Sequence, residues 1–263
     1  MSAELPSFIQ KYKNIVKNKK SVLCVGLDPA LPDQRNNYVM PTSDRISFMK
    51  EIIEEVSSFT SIIKMNRQYL IGLNLEQIQG LNDLIHKQGM LSIIDHKLGD
   101  IGSSNDSAIF WFRKEGFDAF THSPFAGNIE EATLAAHERD LGIIVLTLMS
   151  NPEAVIQKTA HIGSNPLYLF IAQQCLANNV DGCVVGATGN VEFQNLSKLK
   201  ATLGHDILVL VPGVGVQGGN AEEILKMFGK RTMVNVGRSI IYSPNPKQEA
   251  EKFCKMFNKY IND

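Results

Sequence analysis

Short runs of apolar and β-branched residues alternate along the chain with longer stretches whose apolar positions recur every three or four residues. The short runs predict strands at 21–27, 61–65, 91–95, 118–121, 142–148, 182–185, 207–211 and 233–236. The periodic stretches predict helices near 44–58, 73–88, 104–115, 129–138, 166–178, 192–203, 221–228 and 246–260. The strand runs are continuously apolar, as in parallel sheets covered on both faces. Eight strand-then-helix units without a linker or low-complexity tract predict one domain over 1–263. The architecture they suit is α/β, a (β/α)8 TIM barrel, which needs about 250 residues; a doubly wound sheet is the rival. Ahead of the first strand, Phe8, Ile9, Tyr12, Ile15 and Val16 fall at helical spacing. They predict an extra N-terminal helix with its lysines in water, placed to plug the bottom of the barrel. Thr42 and Ser43 are start signals for the next helix, and Asn165-Pro166 puts a proline in a probable first turn.

Composition narrows the function classes. A net charge of −1 over 263 residues argues against a broad nucleic-acid or membrane surface. The apolar run at 142–149 is far too short to span a bilayer. The lysine-bearing N-terminus lacks the apolar core and small-residue cleavage site of a secretory leader. Four cysteines without CxxC spacing read as buried, reduced thiols, so a cytoplasmic location is expected.

Candidate chemistry gathers where strands end, the face on which barrels build their sites. Asp28 follows the first strand, Lys64 ends the second, and Asp95-His96-Lys97 ends the third. Ser123, Met149-Ser150, Pro212-Gly213 and Gly237-Arg238 follow at strands four, five, seven and eight. Gly213, Gly215 and Gly218 satisfy GxGxxG, which resembles a dinucleotide fingerprint. The segment lies in the seventh unit, however, and the next strand ends in Gly237-Arg238 and not in the acidic residue a ribose would need. Glycine amides and an arginine fork suit a phosphate dianion, and the loops after strands seven and eight are the usual phosphate site of a barrel. A tight turn beside a surface arginine is the plain alternative.

Asp95-x-Lys97-x-x-Asp100, with Lys64 one strand earlier, interleaves two lysines with two carboxylates. Strand alternation puts Asp95 and Lys97 on one face. Opposite charges within about 4–6 Å would hold each other ionised. The array is either a salt-bridge cluster or, since buried charge is costly without a task, a catalytic one. No HExxH, CxxC or carboxylate triad suggests a metal, and of six histidines only His96 and His122 fall at strand ends, where packing or hydrogen bonding is expected.

Asp95-His96-Lys97-Leu98-Gly99-Asp100-Ile101 resembles the DxKxxDI motif of the orotidine 5'-phosphate decarboxylases. The likeness extends to Gly26-Leu27-Asp28, Lys64, Leu148-Met149-Ser150, the stretch from Pro212 to Gly219, and Val236-Gly237-Arg238-Ser239-Ile240. The resemblance implies conversion of orotidine 5'-phosphate to UMP and CO2 without cofactor or metal. It implies Lys97 as proton donor to C6, Asp95 beside the substrate carboxylate, and Lys64 on the ribose. Asp28 and Ser104 would contact ribose, Ser150 the pyrimidine edge, and Gln217, Gly237 and Arg238 the phosphate, with Ile101 and Pro212 also in the nucleotide site. Ser104 stands where the family usually has threonine, which keeps the hydroxyl but places it less rigidly. Asp100 would reach into the partner's pocket, so a homodimer with shared active sites is expected. With no electron sink, a fixed ammonium beside C6 would stabilise the developing charge and then protonate it. Asp95 would destabilise the bound carboxylate. Segments 214–220 and 151–164 are candidate lids. Two rivals stand beside this: a metal-dependent sugar-phosphate decarboxylase or aldolase of the sister barrels, which share DxKxxD, and a silent nucleotide-binding barrel. Ile101 and the Met149-Ser150 pair speak against the first, and two carboxylates near an anionic ligand against the second.

Overall fold

The computed structural model describes residues 7–41, 43–187, 191–214 and 221–261. In chain order the strands are β1 (Leu23–Gly26), β2 (Ile62–Asn66), β3 (Leu91–Leu98), β4 (Ala119–His122), β5 (Gly142–Leu148), β6 (His161–Ile162), β7 (Asn165–Pro166), β8 (Gly182–Val185), β9 (Leu208–Val211) and β10 (Thr232–Val236). The helices are α1 (Phe8–Lys19), α2 (Arg45–Val56), α3 (Leu75–Lys87), α4 (Gly102–Lys114), α5 (Ile129–His137), α6 (Ile156–Thr159), α7 (Leu167–Ala177), α8 (Phe193–Leu203), α9 (Glu222–Phe228), α10 (Arg238–Ile241) and α11 (Pro246–Asn258). Every strand run read from the sequence falls on a strand of the barrel.

The long strands pair in parallel as a closed ring, β1-β10-β9-β8-β5-β4-β3-β2. Val25 opposite Val236 closes the seam, which a doubly wound sheet leaves open. β1, β5, β8 and β9 are buried along their whole length, so both faces are covered as the apolar runs require. Helix starts follow local chemistry. Ser7 accepts from Gln10 N at the head of α1, and Asn74 and Gln77 form a reciprocal capping box on α3. Among the described residues no helix is long and apolar enough to cross a membrane.

The lower end of the barrel, where strands begin, is covered by α1 as its spacing predicts. Phe8, Tyr12 and Val16 are its buried face. Tyr12 Oη donates to the Thr232 carbonyl at 2.6 Å. Phe8 packs onto Gly142, where a Cβ would lie 2.5 Å from the ring, so the first residue of β5 has no room for a side chain. Two matching latches sit at this end. Asp118 Oδ2 accepts from Ser92 N at 2.8 Å and contacts His86 Nε2 at 2.9 Å. Asp181 Oδ2 accepts from Ile143 N at 3.1 Å and contacts His137 Nε2 at 2.9 Å. Each joins a strand start to its neighbour and to the end of a preceding helix.

Two local expectations are corrected. Asp44, and not Ser43, caps α2 by accepting from Ser47 N, because the carboxylate reaches both the amide and the hydroxyl of Ser47; Thr42 lies outside the described residues. Pro166 is the cap of α7 and not part of its first turn, because Asn165–Pro166 pairs with His161–Ile162 as a two-residue hairpin. The stretch 151–164, a candidate lid, carries a 3-10 turn, α6 and β6. All four cysteines are buried and free, and burial pushes the Cys24 thiol up to about 12.

Candidate active site

Polar residues at the upper ends of β1, β2, β3 and β10, with the loop after β9, line a cavity of about 360 Å³. Asp28, Lys64, Asp95, Pro212, Gly237 and Arg238 all face it, as the sequence reading expects of that end of the barrel. Lys64 is 5% exposed inside the ring. Its Nζ donates to Asp95 Oδ2 at 2.8 Å, and Lys97 Nζ donates to Asp95 Oδ1 at 2.7 Å. Asp28 accepts from Asn66 N at 3.2 Å, while its carbonyl takes the Tyr242 hydroxyl at 2.8 Å.

These contacts keep the array charged. Burial pushes the Asp95 carboxyl up, but Lys64 and Lys97 outweigh it and hold the group well below the usual carboxylate range. Burial pulls the Lys64 ammonium down, yet Asp95 and Asp28 outweigh burial and raise it above the ordinary lysine value. The interior therefore holds fixed charge at neutral pH, next to a cavity large enough for a ligand.

The geometry of Lys97 is not that of a regular strand. β3 pairs with β4 at Ile94–Phe120 and next at Leu98–His122, so three residues of β3 face the single residue Thr121. Lys97 takes φ +55° in this bulge, a left-handed conformation that disfavours side-chain-bearing residues. Asp95 and Lys97 do meet, but through the bulge and not through simple alternation.

The remaining expected residues divide by position. Gly237 lies so close to Gly26 that a Cβ would stand 3.1 Å from the Gly26 carbonyl oxygen. It leads into α10, a short helix not read from the sequence, which begins at Arg238. The Arg238 guanidinium lies 5.7 Å from the Tyr38 ring centroid. Ser150 is half-buried against Gly186, where a Cβ would come within 2.5 Å of Ser150 Cα. Asp100, Ile101 and Ser104 are exposed on the β3–α4 connection and its helix. Asp100 Oδ1 accepts from Ile101 N at 2.8 Å, and among the described residues no ion pair joins it to Lys64 or Lys97 of its own chain. Ser123 leads into a 3-10 turn away from the cavity. Gln217, Gly215 and Gly218 lie outside the described residues.

Four cavity residues were missed: Arg35, Asn66, Tyr69 and Asn235. Asn66 was readable, since it stands two positions after Lys64 on the same strand. Arg35 carried no signal in its irregular segment. It donates to the Tyr38 carbonyl and the Tyr242 hydroxyl. Of the strand-end histidines, His122 is fully buried with no hydrogen-bond partner at either ring nitrogen, and burial pushes it down to about 4. His96 packs at a tilt against Phe112, ring centroids 5.1 Å apart. Among the described residues no group of three or more His, Cys, Asp or Glu side chains is placed to hold a metal.

A larger cavity, about 650 Å³, lies at the lower end between α1 and the end of α11. Among the described residues its charged lining is wholly basic, including Lys17, Lys20 and Arg231. The acid–base array belongs to the smaller, upper cavity.

A closed parallel barrel with polar residues gathered at its strand ends has the arrangement of the α/β-barrel enzymes. The chain belongs to the Orotidine 5'-phosphate decarboxylase / HUMPS family, whose sequence model matches residues 21–253. It is 30% identical to an orotidine 5'-phosphate decarboxylase of Herpetosiphon aurantiacus, over 97% of this chain and 96% of the relative. It is 32% identical to the protein of that name from Cupriavidus metallidurans, over 93% and 92% of the two chains. Among solved structures, a Methanocaldococcus jannaschii orotidine 5'-monophosphate decarboxylase complexed with inhibitor BMP matches with TM-score 0.71 and 26% identity, over 90% of this chain and 98% of that one. A Leishmania donovani UMP synthase matches with TM-score 0.82 and 24% identity, over 97% of this chain but 57% of its own length, and shows the fold alone.

Proposed function

We propose that this chain, as a single decarboxylase domain, converts orotidine 5'-phosphate to UMP and CO2. The observation that carries the reading is the hydrogen-bonded Lys64–Asp95–Lys97 array, whose Lys64 and Asp95 line the cavity together with Arg238. The phosphate would rest on Arg238, the Gly237 backbone and Gln217, and the ribose on Asp28, Lys64 and the partner's Ser104. Pro212 and Ile101 would wall the nucleotide, and Ser150 would meet the pyrimidine edge. The C6–carboxylate bond breaks with its electron pair left on C6, CO2 departs, and Lys97 Nζ gives C6 a proton that solvent later restores. A preorganised ammonium where negative charge develops lowers the barrier without reorganisation during the step. Phosphate binding far from C6 contributes to catalysis only through closure and orientation.

The site is read as shared in a homodimer. Asp100 shows no ion pair to Lys97 in its own chain, and the surface beside it is apolar: Ile101 is 64% exposed and Phe125 97%. Exposed apolar side chains around a site are a mark of an interaction surface. The buried free thiols suit a reducing, cytoplasmic setting.

The test is loss of orotidine 5'-phosphate absorbance with UMP as product, after exhaustive EDTA treatment. Undiminished turnover is expected. Activity lost to EDTA and restored by Mg2+, or turnover only of sugar phosphates, would overturn the reading in favour of the sister-barrel chemistry.

A further inference from the structure

The bulge that presents Lys97 has a single residue opposite it. Between the pairs Ile94–Phe120 and Leu98–His122, Asp95, His96 and Lys97 face Thr121 alone. A strand that gains residues on one side leaves backbone donors without ladder partners, and these need another acceptor when buried. Thr121 Oγ1 provides it, accepting from Lys97 N at 2.9 Å. The same hydroxyl donates its one proton to Asp95 Oδ1 at 2.9 Å, the oxygen that also receives Lys97 Nζ. Thr121 is 1% exposed, so water does not compete for either bond. One oxygen thus ties the backbone of Lys97 to the carboxylate of Asp95.

The geometry points to Thr121 as a positioning residue: its hydroxyl holds Lys97 in the left-handed bulge and fixes the Asp95 carboxylate against the ammonium. The inference rests on the proposed decarboxylase reading for its kinetic consequence, and on bond geometry alone for its structural one. Asp95 Oδ1 has two donors and Oδ2 one, all from side chains, so among the described residues the carboxylate has no backbone anchor. Remove the hydroxyl and the part-buried Lys97 N–H loses its partner, which favours relaxation of the bulge. The ammonium then moves relative to C6, and displacements of about 1 Å at a reacting centre cost on the order of 10²-fold in rate. The threonine methyl restricts the rotamer, so serine keeps the bonds with a looser aim.

Thr121→Val is the sharp variant because it deletes the hydroxyl at nearly constant shape. Its kcat is expected to fall on the order of 10²-fold, while UMP affinity stays within a few-fold of wild type. The acid limb of its kcat profile should move to higher pH, because Asp95 loses a donor that favours its charged form. Thr121→Ser should recover most of the loss. Wild-type kcat in Thr121→Val, or equal damage in serine and valine variants, overturns the assignment. Should the valine variant fail to fold, the contrast between Thr121→Ala and Thr121→Ser carries the same outcomes. A crystal structure of Thr121→Val separates this inference from the decarboxylase reading. Lys97 should leave the left-handed region and its Nζ should leave hydrogen-bond distance of Asp95. An unchanged pair refutes the positioning role even if the wild-type chain proves inert toward orotidine 5'-phosphate.

Discussion

The two ends of this barrel use charge for different ends. At the bottom, Asp118 and Asp181 each take a backbone N–H from the neighbouring strand and a histidine from a helix end. Their charge is spent joining elements, and α1 covers the same end of the barrel with Phe8, Tyr12 and Val16. At the top, Asp95 is held by Lys64, Lys97 and Thr121 side chains, and the strand beneath it is bulged. Buried charge that ties no backbone together costs desolvation without fastening the fold, and on the proposed reading its task is toward the nucleotide bound above it. The lower cavity is larger, but among the described residues no acid–base pair lines it, so volume alone does not set the two cavities apart.

Substitutions at the two ends should therefore fail in different assays. The largest effect is expected from Lys97→Ala. Its side chain is 42% exposed, so its removal should leave Tm nearly unchanged. Turnover should drop by about 10²–10⁴-fold or more, with UMP still bound; a variant that loses UMP binding and turnover together would place Lys97 in binding instead. At the other end, Phe8→Ala should cost about 3–5 kcal/mol in denaturant unfolding, with kcat unaltered under native conditions. A matching fall in kcat would mean that the plug and the mouth are coupled.

Arg238→Ala should weaken binding of a 5'-monophosphate by about 1.5–3 kcal/mol, the worth of a hydrogen bond to a charged group. Calorimetry with UMP and with uridine separates the phosphate contribution, and equal losses for both ligands would move Arg238 off the phosphate. The smallest effect is a pH dependence confined to the bottom. Hydrogen bonds to Asp118 and Asp181 raise His86 and His137 above the ordinary histidine value, in each case against burial. Their stabilisation is complete below about pH 6.5, the unfolded value, and is lost as pH rises through the raised folded values. Both rings are partly exposed, so after screening the two pairs together contribute about 1 kcal/mol. That corresponds to a fall in Tm of about 2–4 °C on crossing this window, absent in a His86→Gln/His137→Gln variant. Asp95, held low, contributes stability that is complete above the ordinary carboxylate value and is lost only as pH falls into acid, so the top adds nothing to the neutral-pH trend.

The architecture was legible because continuous apolar strands and amphipathic helices differ in period, and all eight barrel strands fall on runs read from the sequence. Asp28, Lys64, Asp95 and Arg238 were legible because a strand end defines one face of the barrel. What escaped depends on pairing between strands. Nothing at Lys97 marks a left-handed residue, since the bulge follows from the register against β4 and the Thr121 hydroxyl. Thr121 itself reads as one more β-branched strand residue. Arg35 and the β6–β7 hairpin sit in segments without period, where turn residues alone decide the path.

The central claim is that the upper mouth is catalytic and is shared between two chains. Mixing Lys97→Ala and Asp100→Asn proteins after reversible dissociation tests it most directly, because each homodimer should be nearly inactive. A mixed dimer has one pocket with intact Lys64, Asp95 and Lys97 from one chain and intact Asp100 from the other, while its second pocket carries both lesions. Random reassortment makes about half the dimers mixed, so about a quarter of all sites should regain decarboxylation under two-fold symmetry. Mixed dimers that form and remain inactive would contradict the shared site and return Asp100 to its own chain.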